Sequence, residues 1–289
     1  MELVLGTVQM GIAYGIHNKT GKIDPADAIR ILEYAYEHGV RTLDTAESYG
    51  TAHQVIGQYH KLHPNAQFNI ITKLPKNIFV ESVKSKIDQY LNDLGISNIH
   101  LLMCHDFVTY RQDHELASYM LETVKSDLVK KVGVSVYTNT QIMDLLNDEK
   151  KVDVIQLPYN LLDNKFQRGQ VLEKMKMEGI AAHTRSPFLQ GMFFLDEESD
   201  HPAYQYLSIY INSLKGIANS SSVSMQALAL QYSYLNALSE AVILGVDSIE
   251  QLKLNLNIIS GQFISNEVVD LIDRIEVQNA DFLNPSLWK

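Results

Sequence analysis

The sequence predicts an α/β protein, a single-domain (β/α)8 TIM barrel spanning residues 1–289, and three observations carry that expectation. Eight short runs rich in Val, Ile and Leu recur along the whole chain. Longer segments with helical spacing of apolar residues separate them. No Pro-, Gly- or Ser-rich linker and no low-complexity block divides the 289 residues, a length near the roughly 250 residues typical of one closed barrel.

The strands are read, in order, in LVLGTV from Leu3, VRTLD from Val40, FNIITK from Phe68, IHLLMCH from Ile99, KVGVSVY from Lys131, DVIQLPY from Asp153, GIAAHTRS from Gly179 and AVILGV from Ala241. A parallel strand covered on both faces reads as a near-continuous apolar run, as these do, whereas a half-exposed strand alternates. Between the first two, DPADAIRILEYAYEHG offers Asp24 as N-cap, Pro25 at the first helical position and Gly39 as a stop. Further helices are expected over 80–94, 114–125, 139–146, 165–178 and 248–258. The SSSVS segment around Ser220 introduces another helix over 225–234 rather than a domain break. NEVVDLIDRIEV predicts an additional amphipathic helix after the barrel, and the tail ADFLNPSLWK is expected to reach a pocket rim.

Composition narrows the class of function. Apolar residues make up 46% of the chain and charged residues 20%, values of an ordinary globular protein with a sizeable core. A net charge of -10 opposes a broad nucleic-acid or anionic-membrane surface, which would need clustered Lys and Arg. The single cysteine, Cys104, excludes an intramolecular disulfide framework and fits a reducing, cytoplasmic setting. MELVLGTVQMG lacks the basic and apolar regions of a leader, and nowhere do about 18 apolar residues run together as a membrane span requires. No membrane partner is expected.

Barrel enzymes place chemistry at the carboxyl ends of their strands. Asp44 ends the second strand, Tyr49 lies in the loop after it, Lys73 ends the third and His105 the fourth. Singly, each has a structural use: Asp44 as a loop cap, Tyr49 as packing, Lys73 as a snorkelling side chain, His105 as a satisfied hydrogen-bonding group. Together they form a proton-donating site. A carboxylate beside Lys73 keeps the ammonium charged, and that ammonium beside Tyr49 is expected to lower a phenol pKa of about 10 towards working pH. A neutral His105 hydrogen-bonds and orients the same carbonyl oxygen.

These residues resemble the aldo-keto reductase superfamily, through GTVQMG at Gly6, LDTAESYG with Asp44 and Tyr49, ITKLP with Lys73 and LLMCHDF with His105. IQLPYN, RSPFLQG and ILGVDSIEQLKLNL extend the resemblance over almost the whole chain, in the family's order. It implies a barrel that binds NADPH or NADH without a Rossmann domain, in keeping with the lack of GxGxxG after the first strand, and that reduces an aldehyde or ketone by hydride transfer. Tyr49 would be the general acid, Lys73 and Asp44 its partners and His105 the orienting residue. The reverse reaction, oxidation of an alcohol with Tyr49 as phenolate base, uses the same groups.

By position in the family pattern, Gly6 and Thr7 fall beside the nicotinamide ribose, while Ser135 and Gln156 hydrogen-bond the carboxamide. Val136 replaces the family's amide. Arg185 stands where an aromatic ring usually stacks on nicotinamide, and could hold that ring by its planar face or pair with a substrate carboxylate or a pyrophosphate. Ser186, Phe188, Gln190 and Gly191 are candidates for the loop covering the pyrophosphate, or for a structural loop of the same composition. At the last junction the cofactor positions are Gly245, Val246, Ser248, Gln251 and Asn255, with Asp247 or Ser248 as helix cap. The family's 2′-phosphate clamp falls on Gly245 and Gln251 and its nearby Glu on Leu254, leaving Asn255 for the adenine. The clamp is weakened, and Asp247 could accept from an unphosphorylated ribose hydroxyl while repelling a phosphate, so NADH stands beside NADPH as the cofactor.

Tyr14, Phe107, Tyr137 and Trp288 are candidates for an aromatic substrate pocket, or for simple packing. A short loop after His105 and a brief tail predict an open mouth. GTVQMGIAYGIHNKTGK and RSPFLQG are similar to a bacterial branch of the family associated with carbohydrate metabolism and surface polysaccharides, which implies a sugar-like substrate. His53, His60 and His63 lie on or near one outer helix without HExxH or another ligand motif, so no metal is expected. A cofactor-binding regulatory barrel with little turnover remains the alternative function.

Overall fold

The computed structural model describes residues 1–18, 20–112 and 114–288, without the side chain of His114; Lys19 of the first loop and Lys289 of the tail lie outside the described residues. Eight strands form one closed parallel barrel: β1 (Glu2–Gly6), β2 (Thr42–Asp44), β3 (Asn69–Leu74), β4 (Ile99–Cys104), β5 (Val129–Ser135), β6 (Val154–Pro158), β7 (Ala181–Arg185) and β8 (Ala241–Gly245). Each pairs with its sequence neighbours, and β8 closes on β1 with Gly245 opposite Gly6. The eight expected runs are these eight strands.

Their continuous apolar character has a two-layer cause. Val4, Ile71, Leu101, Met103, Val154 and Ile243 point into the barrel and pack together. Their neighbours Leu5, Ile70, Leu102, Cys104 and Ile155 point outward into the larger core beneath the helices. Both faces are therefore dry, and hydrophobic burial at about 25 cal/mol per Å² favours closure over any open sheet.

The helix Pro25–Glu37 starts and stops where its sequence dictates. The Asp24 carboxylate accepts from Ala26 N at 2.9 Å, and Gly39 leaves the helix with φ of +90°. The helix Asn139–Leu146 carries a capping box between Thr138 and Gln141. In the helix Ala52–Leu62, His53 Nε2 meets Thr72 Oγ1 of β3 at 2.9 Å. His60 accepts from Phe68 N and donates from Nδ1 to Leu94 O at 2.7 Å, so these histidines bind the helix to its surroundings. Among the described residues no group of three His, Cys, Asp or Glu could hold a metal ion, and no helix is long and apolar enough to cross a membrane.

Four expectations need correction. The connection after His105 is not a bare loop: Asp106 Oδ1 accepts from Thr109 N at 2.7 Å and starts a short helix, Phe107–Gln112. Phe107 packs there beside Arg111. A 19-residue helix, Pro202–Ser220, precedes the expected Met225–Tyr234, so two helices link β7 to β8. Its buried positions Ala203, Leu207, Ile211, Leu214 and Ala218 follow helical spacing. The tail packs on that helix and not at a pocket rim: Phe282 stacks on Tyr206 at 4.0 Å, and Trp288 sits edge-on to His201 and donates to Phe282 O. The extra helix is Asn266–Asp273, shorter than the amphipathic stretch, and Asn164 Nδ2 donates to Ile272 O in its last turn and to Ile275 O just beyond it.

The loop carrying Tyr49 is set by backbone contact. A Cβ on Gly11 would lie 1.6 Å from Tyr49 O, and one on Gly50, whose φ is +56°, would lie 2.6 Å from Gly11 O. Only glycine allows the loops after β1 and β2 to meet so closely. Replacing Gly11 with Ala must push the Tyr49 loop aside, and is expected to cost about 1–3 kcal/mol in urea unfolding, as overpacking does.

Candidate active site

The ends of β2, β3 and β4 bring Asp44, Lys73 and His105 to one mouth, and the next loop adds Tyr49. Lys73 Nζ lies 2.5 Å from Asp44 Oδ1, 3.1 Å from Thr45 O and 3.5 Å from Tyr49 Oη. Gln156 Nε2 donates to the other Asp44 oxygen at 2.8 Å. The His105 ring stands edge-on to Tyr49, with centroids 5.9 Å apart, and its Nδ1 is 3.2 Å from Ser48 Oγ. The four residues expected to act together are gathered.

Their electrostatics differ from the expectation in one respect. Burial lowers the Lys73 pKa, and the Asp44 carboxylate opposes that fall. Tyr49, however, is pushed well above the ordinary phenol value, first by burial and then by the Asp44 charge, with Arg185 pulling the other way. An ammonium in contact with a carboxylate has little field left for a phenol at 3.5 Å, so desolvation of the phenolate wins. The resting phenol holds its proton. His105 is lowered to about 4, by burial and then by Lys73, so its imidazole is neutral at neutral pH.

Tyr49 and Asp44 open on a cleft of about 430 Å³, within the usual range for small-molecule sites. Gly6 and Thr7 line it from β1 and Gln156 from β6. Arg185, Ser186, Phe188 and Gln190 line it from β7 and its loop, and Gly245, Gln251 and Asn255 from the β8 junction. Lys73 lies behind Asp44 and Tyr49. Three expected cofactor residues are not on the wall. Ser135 is buried opposite Gln156 in the sheet, and Val246 turns into the outer core. Ser248 accepts from Gln251 N and caps the helix Ile249–Ser260. Of the aromatic candidates Tyr14 lines the cleft, whereas Phe107 and Trp288 do not.

Some of the wall was not anticipated. Gln9, turned inward by the helical turn Val8–Gly11, presents a buried Oε1 with no partner among the described residues. A Cβ at Gly245 would lie 2.8 Å from the Gln9 amide, so no larger residue fits there without moving Gln9. Gln226 Nε2 donates to Asn255 Oδ1 at 2.7 Å. Asn18 reaches from the β1 loop to Asp247 Oδ1 at 3.0 Å, while Gln190 Nε2 donates to Tyr14 Oη and Gln190 O accepts from Ile16 N. The β1 loop thus bridges the loops after β7 and β8. GTVQMG flagged the neighbourhood of Gln9 but not its inward turn, and nothing local in the sequence pairs Asn18 with Asp247.

The β7 loop is held in a costly shape. Ser186, Leu189 and Gln190 have φ values of 63°, 46° and 56°. Left-handed backbone costs an ordinary residue about 1–2 kcal/mol. Complete burial of Leu189 contributes in the other direction, and at Gly191 a Cβ would lie 2.6 Å from His17 Cβ. The loop is consequently shaped in advance along the cleft.

The aldo/keto reductase family model matches residues 2–277. The chain belongs to this family. Members of the aldo/keto reductase family use nicotinamide cofactors, and this chain is an oxidoreductase of carbonyl compounds. It is 24% identical to L-galactose dehydrogenase of Arabidopsis thaliana over 254 residues, covering 82% of this chain and 79% of the relative. It is 25% identical to the NADH-specific methylglyoxal reductase of Escherichia coli (strain K12) over 198 residues, 60% of each protein. In fold it resembles the aldo-keto reductase AKR11C1 from Bacillus halodurans (holo form), with a TM-score of 0.78 and 20% identity over 96% of this chain and 93% of that one.

The depressed histidines make stability depend on acid. His53, His105 and His183 are each lowered to about 4, chiefly by burial, against an ordinary value of 6.5. Between these values the unfolded chain binds more protons than the folded one, so the contribution is complete above the unfolded value and is lost as pH falls. Urea midpoints should be insensitive to these groups above about pH 7 and decline from about pH 6.5 towards 4. His53→Gln, which keeps an amide for Thr72 but cannot titrate, should flatten that decline.

Proposed function

We propose that this protein is an NADH-preferring reductase of an aldehyde or ketone of sugar type, with Tyr49 as the proton donor. The observation that carries the reading is the Tyr49 hydroxyl at the head of the cleft, 3.5 Å from Lys73 Nζ, itself tied to Asp44 at 2.5 Å. Nicotinamide bound along the cleft would supply hydride to the carbonyl carbon. Tyr49 Oη gives its proton to the carbonyl oxygen, so the product is the alcohol. Lys73, held by Asp44, limits the cost of the negative charge that then develops on the Tyr49 oxygen. Neutral His105 directs an N–H at the same carbonyl oxygen.

Burial keeps the proton on the resting Tyr49 phenol, the form from which reduction begins, while the reverse reaction begins from phenolate. Gln156 would meet the carboxamide while bracing Asp44, with Gly6 and Thr7 beside the ribose and Ser186, Phe188 and Gln190 along the pyrophosphate. Gln9, with its unpartnered oxygen, adds an acceptor on the same wall. At the far end Asn255 and Gln251 would contact the adenosine, with Asp247 between the β1 loop and the helix Ile249–Ser260. Among the described residues Arg185 is the only Lys or Arg on the wall, so a 2′-phosphate at the Asp247 end would meet a carboxylate without a cation clamp. That charge arrangement supports NADH. The sugar and NADH activities in the names of the two curated relatives agree with the proposal.

Fluorescence titration should give NADH a dissociation constant at least about tenfold below that of NADPH, a difference of about 1.4 kcal/mol. Tighter NADPH binding would overturn the cofactor assignment. Tyr49→Phe should reduce carbonyl reduction by about 100-fold or more, the scale of general-acid catalysis, and leave the NADH dissociation constant within about twofold. Cofactor binding by the native chain without turnover of any aldose, ketose or small aldehyde would favour the regulatory barrel.

A further inference from the structure

We propose that Arg185 is a specificity determinant that selects carbonyl substrates bearing a carboxylate, pairing with that group while the carbonyl oxygen lies against Tyr49. This rests on the reductase reading above and names the substrate class of the same cleft.

Arg185 ends β7, is half-buried and lines the cleft. Its guanidinium lies over the Tyr137 ring, 4.3 Å from the centroid, and its Nη2 donates to Val136 O at 3.1 Å. The Val136–Tyr137 segment is itself anchored from below. Buried Arg168 makes two bonds to Asp163, of 2.5 and 2.8 Å, and donates to Tyr137 O at 2.6 Å and to Asn139 Oδ1 at 2.7 Å. The platform under Arg185 is therefore rigid, and its planar fork is presented without much remaining freedom.

What that fork lacks is an anion. Lys73 has Asp44 and Arg168 has Asp163, whereas no carboxylate lies within ion-pair distance of Arg185 among the described residues. This occurs in a chain with 34 acidic and 24 basic residues. A guanidinium with one carbonyl acceptor retains N–H groups suited to a carboxylate. Its position favours the substrate end. The Arg185 charge opposes the burial-driven rise of both Tyr14 and Tyr49, so it acts beside the proton donor, whereas Asp247 is tied to Asn18 of the β1 loop. The other source of anionic oxygens in this cleft is the cofactor's phosphates, and the experiment separates the two.

The test compares substrates that differ only in carboxylate against carboxamide, glucuronate with glucuronamide and pyruvate with pyruvamide, at saturating NADH. The acids should show kcat/KM about tenfold or more above the amides, chiefly through KM, the scale of one charge-assisted pair. Arg185→Met should bring that ratio close to one, and Arg185→Lys should restore part of it, while the NADH dissociation constant changes less than the KM for the acid. Equal use of acids and amides by the native chain would overturn the proposal. So would an Arg185→Met variant that weakens NADH binding and leaves the acid-to-amide ratio intact, which would assign the charge to the cofactor. If the native chain turns over none of the four, the reductase reading fails on these substrates. Calorimetric titration of the NADH-loaded chain with glucuronate and with pyruvate then decides the anion site: binding lost in Arg185→Met upholds it, and no binding of either overturns it.

Discussion

A buried ammonium and a buried carboxylate, Lys73 and Asp44, are in contact at the mouth of this barrel, and most of the site is arranged around them. Removing either ion from water costs several kcal/mol even after relaxation, so the pair persists only because its remaining bonding capacity is met. Thr45 O takes a second bond from Lys73, and Gln156 gives one to the second oxygen of Asp44. The strand ends that supply these groups are β2, β3 and β6, which the closed sheet holds at fixed separation. Breaking the arrangement would strand a charge in a dry interior. The same pairing explains why the nearby phenol keeps its proton: the ammonium field is largely consumed by its own counter-ion.

Around this pair the loops divide the cleft by charge. Arg185, stacked on Tyr137, stands near Tyr49, whereas Asp247, tied to Asn18 and Gln251, stands at the β8 junction. A ligand lying between them meets a positive end beside Tyr49 and a negative end beside the helix Ile249–Ser260. The wall between is built on backbone that ordinary residues adopt reluctantly, at Ser186, Leu189 and Gln190. That conformation is held by the burial of Leu189 and the close approach of Gly191 to His17, so shape and charge are both in place before any ligand arrives.

Positions where the resemblance to the family pattern breaks, Val136, Arg185, Gly245 and Gln251, lie on or beside this wall. Val136 offers no side-chain amide, but its carbonyl supports Arg185. Gly245 offers no cation, yet its missing side chain is the space into which Gln9 turns.

The eight strands, the bounded helix after Asp24 and the four residues at the strand ends were legible from sequence alone. Burial on two faces forces continuous apolar runs, helix ends need caps, and barrel chemistry sits at known strand termini. The helix Pro202–Ser220 was legible in principle from its apolar spacing. Other features were decided only by the fold. The rise of the Tyr49 pKa depends on how much water burial removes. The placement of Ser135, Val246 and Ser248 off the wall depends on which way each side chain turns at its strand end. Asn18 reaches Asp247 across 229 positions of chain, and Arg185 finds Tyr137 rather than a carboxylate. Local pattern encodes which faces are dry and where elements end, because those are short-range consequences of backbone geometry. Distances between groups on different strands, and the desolvation that sets their charge, exist only once the barrel has closed.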